Sequence, residues 1–263
     1  MSDPTPQDGQ VSGAVLLYTK PEPLNPELHG KLGIKASPTP YKFALTAHAV
    51  PLMVTEFGPA AMNYPIIFAG EQLQPMAIMS IRQNENLFIT PEGGFDPDGY
   101  VPAYLRRFPF VLADDPDNQR MIVCIDVAAE AVVPGGDLAL FSGDQPTDFT
   151  KNAIDFCTNY ESERQRTGSF VQMLKDLDLF ELKEAFFTPQ NADGSPGEPV
   201  RLADYFAISE AKLRALPVEK LGELRDNGAL SQIYAQLISL HGWDKLVART
   251  MVRDGALNPP PAA

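Results

Sequence analysis

The sequence predicts an α+β fold with a strand-rich N-terminal half, helices packed on it and a helical C-terminal cap. Three observations predict it. Up to residue 146 the chain holds short apolar runs separated by turn residues, and from Thr147 onward apolar residues recur at helical spacing. The 263 residues are also 44% apolar, enough to bury a large core. One domain is expected over 14–257, strand-rich over 14–146 and mainly helical over 147–257. Segments 1–13 and 258–263, rich in Pro, Gly, Ser, Asp or Ala with little to bury, are expected as loose tails.

In chain order, the runs at 14–18, 64–68, 76–81, 87–89, 108–112 and 121–127 read as strands. Asp114-Asp115-Pro116-Asp117-Asn118 is turn chemistry, because Pro presets φ and Asp or Asn side chains bond the nearby backbone; it makes 108–127 a hairpin. Glu71-Gln72-Leu73-Gln74-Pro75 suits a second hairpin turn. Phe149, Ala153, Phe156, Cys157 and Tyr160 fall on one stripe of a helix that Gly168 is expected to close. A second stripe runs through Phe170, Met173, Leu174, Leu177 and Phe180. The stretch 191–199 breaks regular structure and reads as an exposed turn between two strands, with 200–208 as the return strand. After Ser209, a helix N-cap, follow helices at 210–216, 218–225 (opened by Pro217), 229–240 and 243–253, with Asn227-Gly228 as a left-handed stop.

The net charge of -13 disfavours a broad nucleic-acid or anionic-membrane surface, since both partners repel an acidic protein. The opening Met-Ser-Asp-Pro-Thr-Pro-Gln-Asp lacks the basic and apolar regions of a secretory leader, and no apolar run approaches the roughly 20 residues that span a bilayer. Cys124 and Cys157, each in an apolar setting, read as reduced, buried thiols of a cytoplasmic protein.

Candidate chemistry centres on two places. His48 is a potential ligand or acid-base group, with Glu56 placed either to join it or to cap the next turn. His29 and His241 are remote, and no His-x-x-x-His or Cys-x-x-Cys spacing supports a metal centre, so no metal and no cofactor are expected. Arg106-Arg107, among Tyr100, Tyr104, Phe108 and Phe110, suits recognition of a carboxylate or phosphate; the structural alternative is an arginine paired with a carboxylate such as Asp126. Asp96-Pro97-Asp98-Gly99 reads as a turn, not a calcium loop. No Gly-x-Gly-x-x-Gly, Walker or Gly-x-Ser-x-Gly motif occurs.

Ala47-His48-Ala49-Val50-Pro51-Leu52, Glu56-Phe57 and Asn63-Tyr64-Pro65-Ile66-Ile67-Phe68 together resemble the opening block of the SapC family. That bacterial family is named after a locus for a surface-array (S-layer) protein. The resemblance continues through residues 100–110, Cys124-Ile125-Asp126, Thr167-Gly168-Ser169-Phe170 (read as a turn) and residues 228–235, covering about 40 to 250. It implies a non-catalytic cytoplasmic accessory protein of an envelope, surface-layer or uptake system, with a protein or peptide partner. The ligand-binding candidates are then His48, Glu56, Tyr64, Tyr100, Tyr104, Arg106 and Arg107. The alternative is an enzyme, or the substrate-presenting partner of one, with His48 as base or ligand and an arginine as anion clamp. Convergence of His48, Glu56, an arginine and a tyrosine in one pocket favours chemistry; an exposed strip favours binding.

Overall fold

The computed structural model describes residues 15–115, 120–188, 195 and 197–255. Both expected tails, the tip of the 114–118 turn and most of the 191–199 turn lie outside the described residues. The architecture is α+β, and the chain divides into two compact units, each assembled from two separate segments.

The first unit comprises 1–40 and 107–161. The expected hairpin forms its centre: Phe110–Asp115 pairs antiparallel with Arg120–Asp126, and Pro21–Pro23 adds to the far side of the latter. A second sheet sets Leu32–Ile34 between Val132–Pro134 and Leu138–Ala139, short strands that carry no alternation for the sequence to show. Phe110, Ile125, Leu140, Phe141 and Cys157 form the core, flanked by Phe149 and Ala153 of the predicted helix stripe. The strand expected at 14–18 does not form over its described residues, 15–18. Residues 15–18 turn instead, with Leu17 at φ 72° and the Tyr18 amide donating to the Val15 carbonyl. Val15 and Tyr18 pack on Val111, Ala113 and Cys124, so the apolar run serves packing without pairing.

The second unit comprises 41–106 and 162–263. Its sheet is antiparallel throughout, in the order Phe180–Phe187, Val200–Ile208, Ile66–Ala69, Gln74–Ile78, Ala49–Pro51. The 71–75 segment turns the second hairpin as expected. Residues 87–89 contribute only a single bridge, Ile89 to Phe95, in place of a strand. Phe68 is the aromatic hub of the core, its ring centroid 6.3 Å from Phe57 and 4.9 Å from Phe180, while Phe57 meets Phe170 at 5.9 Å.

The junction between Val200–Ile208 and Ile66–Ala69 is a single residue pair, Phe206 with Phe68. One step along the same register, Ile208 and Ile66 do not bond to each other. The buried Gln236 side chain spans them, accepting from the Ile208 amide at 3.3 Å and donating to the Ile66 carbonyl at 2.8 Å. Ser239 Oγ takes the Ile66 amide at 2.9 Å. A helix side chain thereby replaces a rung of the sheet, satisfying groups whose burial unbonded would cost about 1–3 kcal/mol each.

The chain's longest helix, Asp148–Asp176, corrects the expected break at Gly168. Glycine in a helix costs only about 1 kcal/mol relative to alanine, too little to stop a helix whose neighbours Thr167 and Phe170 are buried. The family-like Thr167-Gly168-Ser169-Phe170 segment is therefore helical, and Phe180 begins a strand instead of ending a stripe. Ser209 caps Glu210–Arg214 through the Lys212 amide, and Gly228, at φ 79°, separates Val218–Asp226 from Ala229–Ser239. Gly242–Arg253 follows.

Candidate functional site

Within the second unit, Val54–Glu56 is a single helical turn whose third residue, Glu56, folds back on its start. Its Oε2 accepts from the Met53 amide at 2.9 Å. Its Oε1 accepts from the Ala103 amide at 2.7 Å and the Tyr100 hydroxyl at 2.8 Å. Glu56 thus caps its own turn and clasps the 100–106 segment, and at 5% exposure it does so away from water. Of the two roles open to it in the sequence, the capping one is what the geometry displays.

Tyr100 is the junction of a short relay. Arg106 Nη2 donates to the Tyr100 oxygen at 3.3 Å, and that hydroxyl donates onward to Glu56. Burial, reinforced by the adjacent carboxylate, pushes the Tyr100 phenol up to about 12. Arg106 is further fixed by Nε donating to the Val101 carbonyl at 3.1 Å, while its side chain stays 42% exposed. Tyr64 is wholly buried. Its hydroxyl donates to the Tyr100 carbonyl, and burial raises its pKa strongly. Asn63 adds two more bonds across the same seam, accepting from the Tyr100 amide and donating to the Asp98 carbonyl. Asp96 to Gly99 is the expected turn, closed by the Gly99 amide on the Asp96 carbonyl.

The remaining candidates separate from this cluster. His48 is exposed; its carbonyl accepts from Met79 and Ser80, and among the described residues no hydrogen bond joins its ring to Glu56, Tyr100 or Arg106. Tyr104 is buried on the helix Ala103–Arg106. Arg107 belongs to the first unit, its guanidinium carbon 4.4 Å from the Tyr160 ring centroid and 5.6 Å from that of Tyr18. Asp126, in the same unit, is buried and accepts from the Thr19, Lys20 and Ala128 amides. Burial pushes the Cys124 and Cys157 thiols up to about 11, which disfavours the nucleophilic thiolate in both. Among the described residues, no group of three His, Cys, Asp or Glu side chains is placed to hold a metal ion. None of their helices is long and apolar enough to cross a membrane.

A family model described as SapC matches residues 24–246. The chain belongs to the SapC family. No curated protein and no solved structure matches it. The SapC-like blocks at 47–68 and 100–110, the latter through its residues 100–106, meet at the Glu56 clasp, and the block at 167–170 reaches the same turn. The buried Thr167 hydroxyl accepts from the Val54 amide at 2.9 Å while donating to the Glu163 carbonyl.

Sequence reasoning missed Asn63, Thr167, Gln236 and Ser239 as organisers of this region. Asn63 stood beside Tyr64 in a noticed block. Thr167 likewise stood in a noticed block, read as a turn; Gln236 and Ser239 are polar residues at helical positions, and nothing in their spacing separates them from solvated ones. A groove of about 430 Å³ between the C-terminal half of Asp148–Asp176 and Val218–Asp226 was also unforeseen. Its lining includes Met173, Asp176, Lys220 and Glu223, and none of the sequence candidates.

Proposed function

We propose that this SapC-family chain is a non-catalytic cytoplasmic binding protein, an accessory of an envelope, surface-layer or uptake system that engages a protein or peptide partner. The observation that carries this reading is the engagement of Glu56. A general base needs an accessible lone pair and a proton to take. Here the carboxylate accepts from two amides and a phenol, and the exposed His48 does not join it. The cluster is built to hold the 100–106 segment in place. What it presents outward is Arg106, oriented by Val101 and Tyr100, and a guanidinium held in one direction suits a partner carboxylate better than a mobile lysine would. The surface is accordingly assigned to Arg106 and the exposed His48, with Glu56, Tyr64 and Tyr100 as its support and Tyr104 within the body.

The test is affinity capture from the native cell with wild type and the His48→Ala/Arg106→Ala double variant. A partner of the envelope or uptake machinery held by wild type and lost by the folded variant supports the proposal. Turnover of a metabolite that disappears with a Glu56→Gln variant still folded by circular dichroism at the assay temperature would overturn it in favour of the enzymatic alternative.

A further inference from the structure

The sheet of the second unit ends in an eight-residue strand, Phe180–Phe187, whose outer side is paired with no strand among the described residues. Ladder geometry fixes which of its backbone groups face outward. Phe206 and Ile208 turn their N–H and C=O groups toward Ile66–Ala69, as the Phe68 pairing and the Gln236 bridge establish. Leu182 lies opposite Phe206 and Phe180 opposite Ile208, so in an antiparallel ladder both direct their own groups outward; the Phe180 carbonyl accepts from Lys212 Nζ at 2.8 Å, which closes that end and leaves Leu182 at the centre of the open edge. The Leu182 side chain is 64% exposed beside Phe206, itself 38% exposed. A long edge with an exposed leucine at its centre is a template for another strand.

We infer that this edge pairs antiparallel with the same edge of a second copy of the chain, with the two-fold axis through Leu182. The charges favour a second copy as partner and, among axes at residues 181–184, single out Leu182. An isologous antiparallel pair has its axis normal to the sheet, so each residue faces one from the same face, and the axis must pass through a single position. Centred on Leu182, Glu181 of each copy faces Lys183 of the other on one face of the sheet, and the two leucines meet on the opposite face. Centred on Lys183 or on Glu184, like charges oppose each other at the axis, which is destabilising. Glu181 and Lys183 already share a face, bridged at 2.9 Å and about one-third exposed, so they lie where a copy can reach them. The assembly closes at two chains. At the opposite end of the sheet, Ala49–Pro51 is three residues long and includes a proline that offers no donor.

The experiment is sedimentation of the full chain over a wide concentration range, with hydrogen exchange of strand 180–187 on the same samples. Wild type is expected to dimerise, with slowed exchange at Leu182. Lys183→Glu should weaken association roughly tenfold by setting like charges opposite each other, and the swap Glu181→Lys/Lys183→Glu should restore it. Leu182→Pro should abolish the dimer and leave the monomer folded by circular dichroism, since the lost N–H faces away from the chain's own sheet. A monomer at every concentration overturns the inference, as does a dimer indifferent to Leu182→Pro. Protection of the edge that depends on residues 1–14 in a monomer assigns it to the chain's own N-terminal segment and overturns it equally.

Discussion

Replacing Glu56 by glutamine tests the clasp with almost no change in volume. The carboxylate accepts at both oxygens: Met53 at one, Ala103 and Tyr100 at the other. An amide has one accepting end. Whichever way the substituted side chain turns, its NH₂ confronts a backbone N–H, either that of Met53 or that of Ala103. The variant therefore loses one charge-assisted bond and weakens the others. Bonds to a charged group contribute about 1.5–3 kcal/mol against 0.5–1.5 for neutral ones, and a stranded buried donor costs about 1–3 kcal/mol. Tyr100, half-buried, recovers part of its share by turning its hydroxyl to water. The expected loss is about 3 kcal/mol, which for a chain of this size lowers Tm by about 6–12 °C. Scanning calorimetry and urea titration measure it, and a double-mutant cycle with Tyr100→Phe should report coupling of about 0.5–2 kcal/mol. Stability within about 1 kcal/mol of wild type would refute the reasoning, because a carboxylate so easily neutralised is not what holds the 100–106 segment.

Three further outcomes are expected. Gly168→Ala should raise stability by about 0.5–1 kcal/mol, since the site is helical and an added Cβ meets nothing within 4 Å; a lower melting temperature would restore the turn read from the sequence. The Tyr100 phenol, raised to about 12 by burial and by Glu56, keeps its proton in the fold where the unfolded chain loses it. That contribution is complete below pH 10 and is lost as pH climbs toward 12, so Tyr100→Phe should show a shallower alkaline decline, measured by urea midpoints across that range. Cys124 and Cys157, with thiols pushed up to about 11, should resist a thiol reagent at neutral pH until denaturant is added; rapid native labelling would contradict their burial.

The α+β class, both hairpins of the N-terminal half and the C-terminal helices were legible in the sequence because each rests on local chemistry. Asp and Pro turn the chain, Ser209 caps a helix, and Gly228 adopts a left-handed φ. The failures share a cause. The intrinsic preference of Gly168 favours a stop, but burial of Thr167 and Phe170 on either side outweighs a cost of about 1 kcal/mol. Residues 15–18 and 87–89 are apolar enough for strands, yet among the described residues the first turns and packs and the second forms a single bridge, because pairing is a property of the fold. The candidate site was half legible. Glu56, Tyr64, Tyr100 and Arg106 lie together without His48, whereas Arg106 and Arg107, adjacent in the chain, fall in different compact units. Side-chain bridges such as Thr167 to Val54 join residues more than a hundred positions apart, and no local pattern encodes them.

The amide of Gln236 gives this protein a timetable. A sheet closed only by its own strands is complete once the last strand exists, and here that strand ends at Ile208. Ile66 and Ile208 must wait for a helix that leaves the ribosome some thirty residues later, because Gln236 and Ser239 carry the groups that finish their seam. A nascent or truncated chain ending near Gly228 holds every strand of the sheet and still lacks the piece that locks it. The C-terminal helices thus complete the sheet: a chain that stops short of Ser239 leaves the Ile66 and Ile208 groups to water or to each other, without the amide and hydroxyl that close the central seam in the full chain.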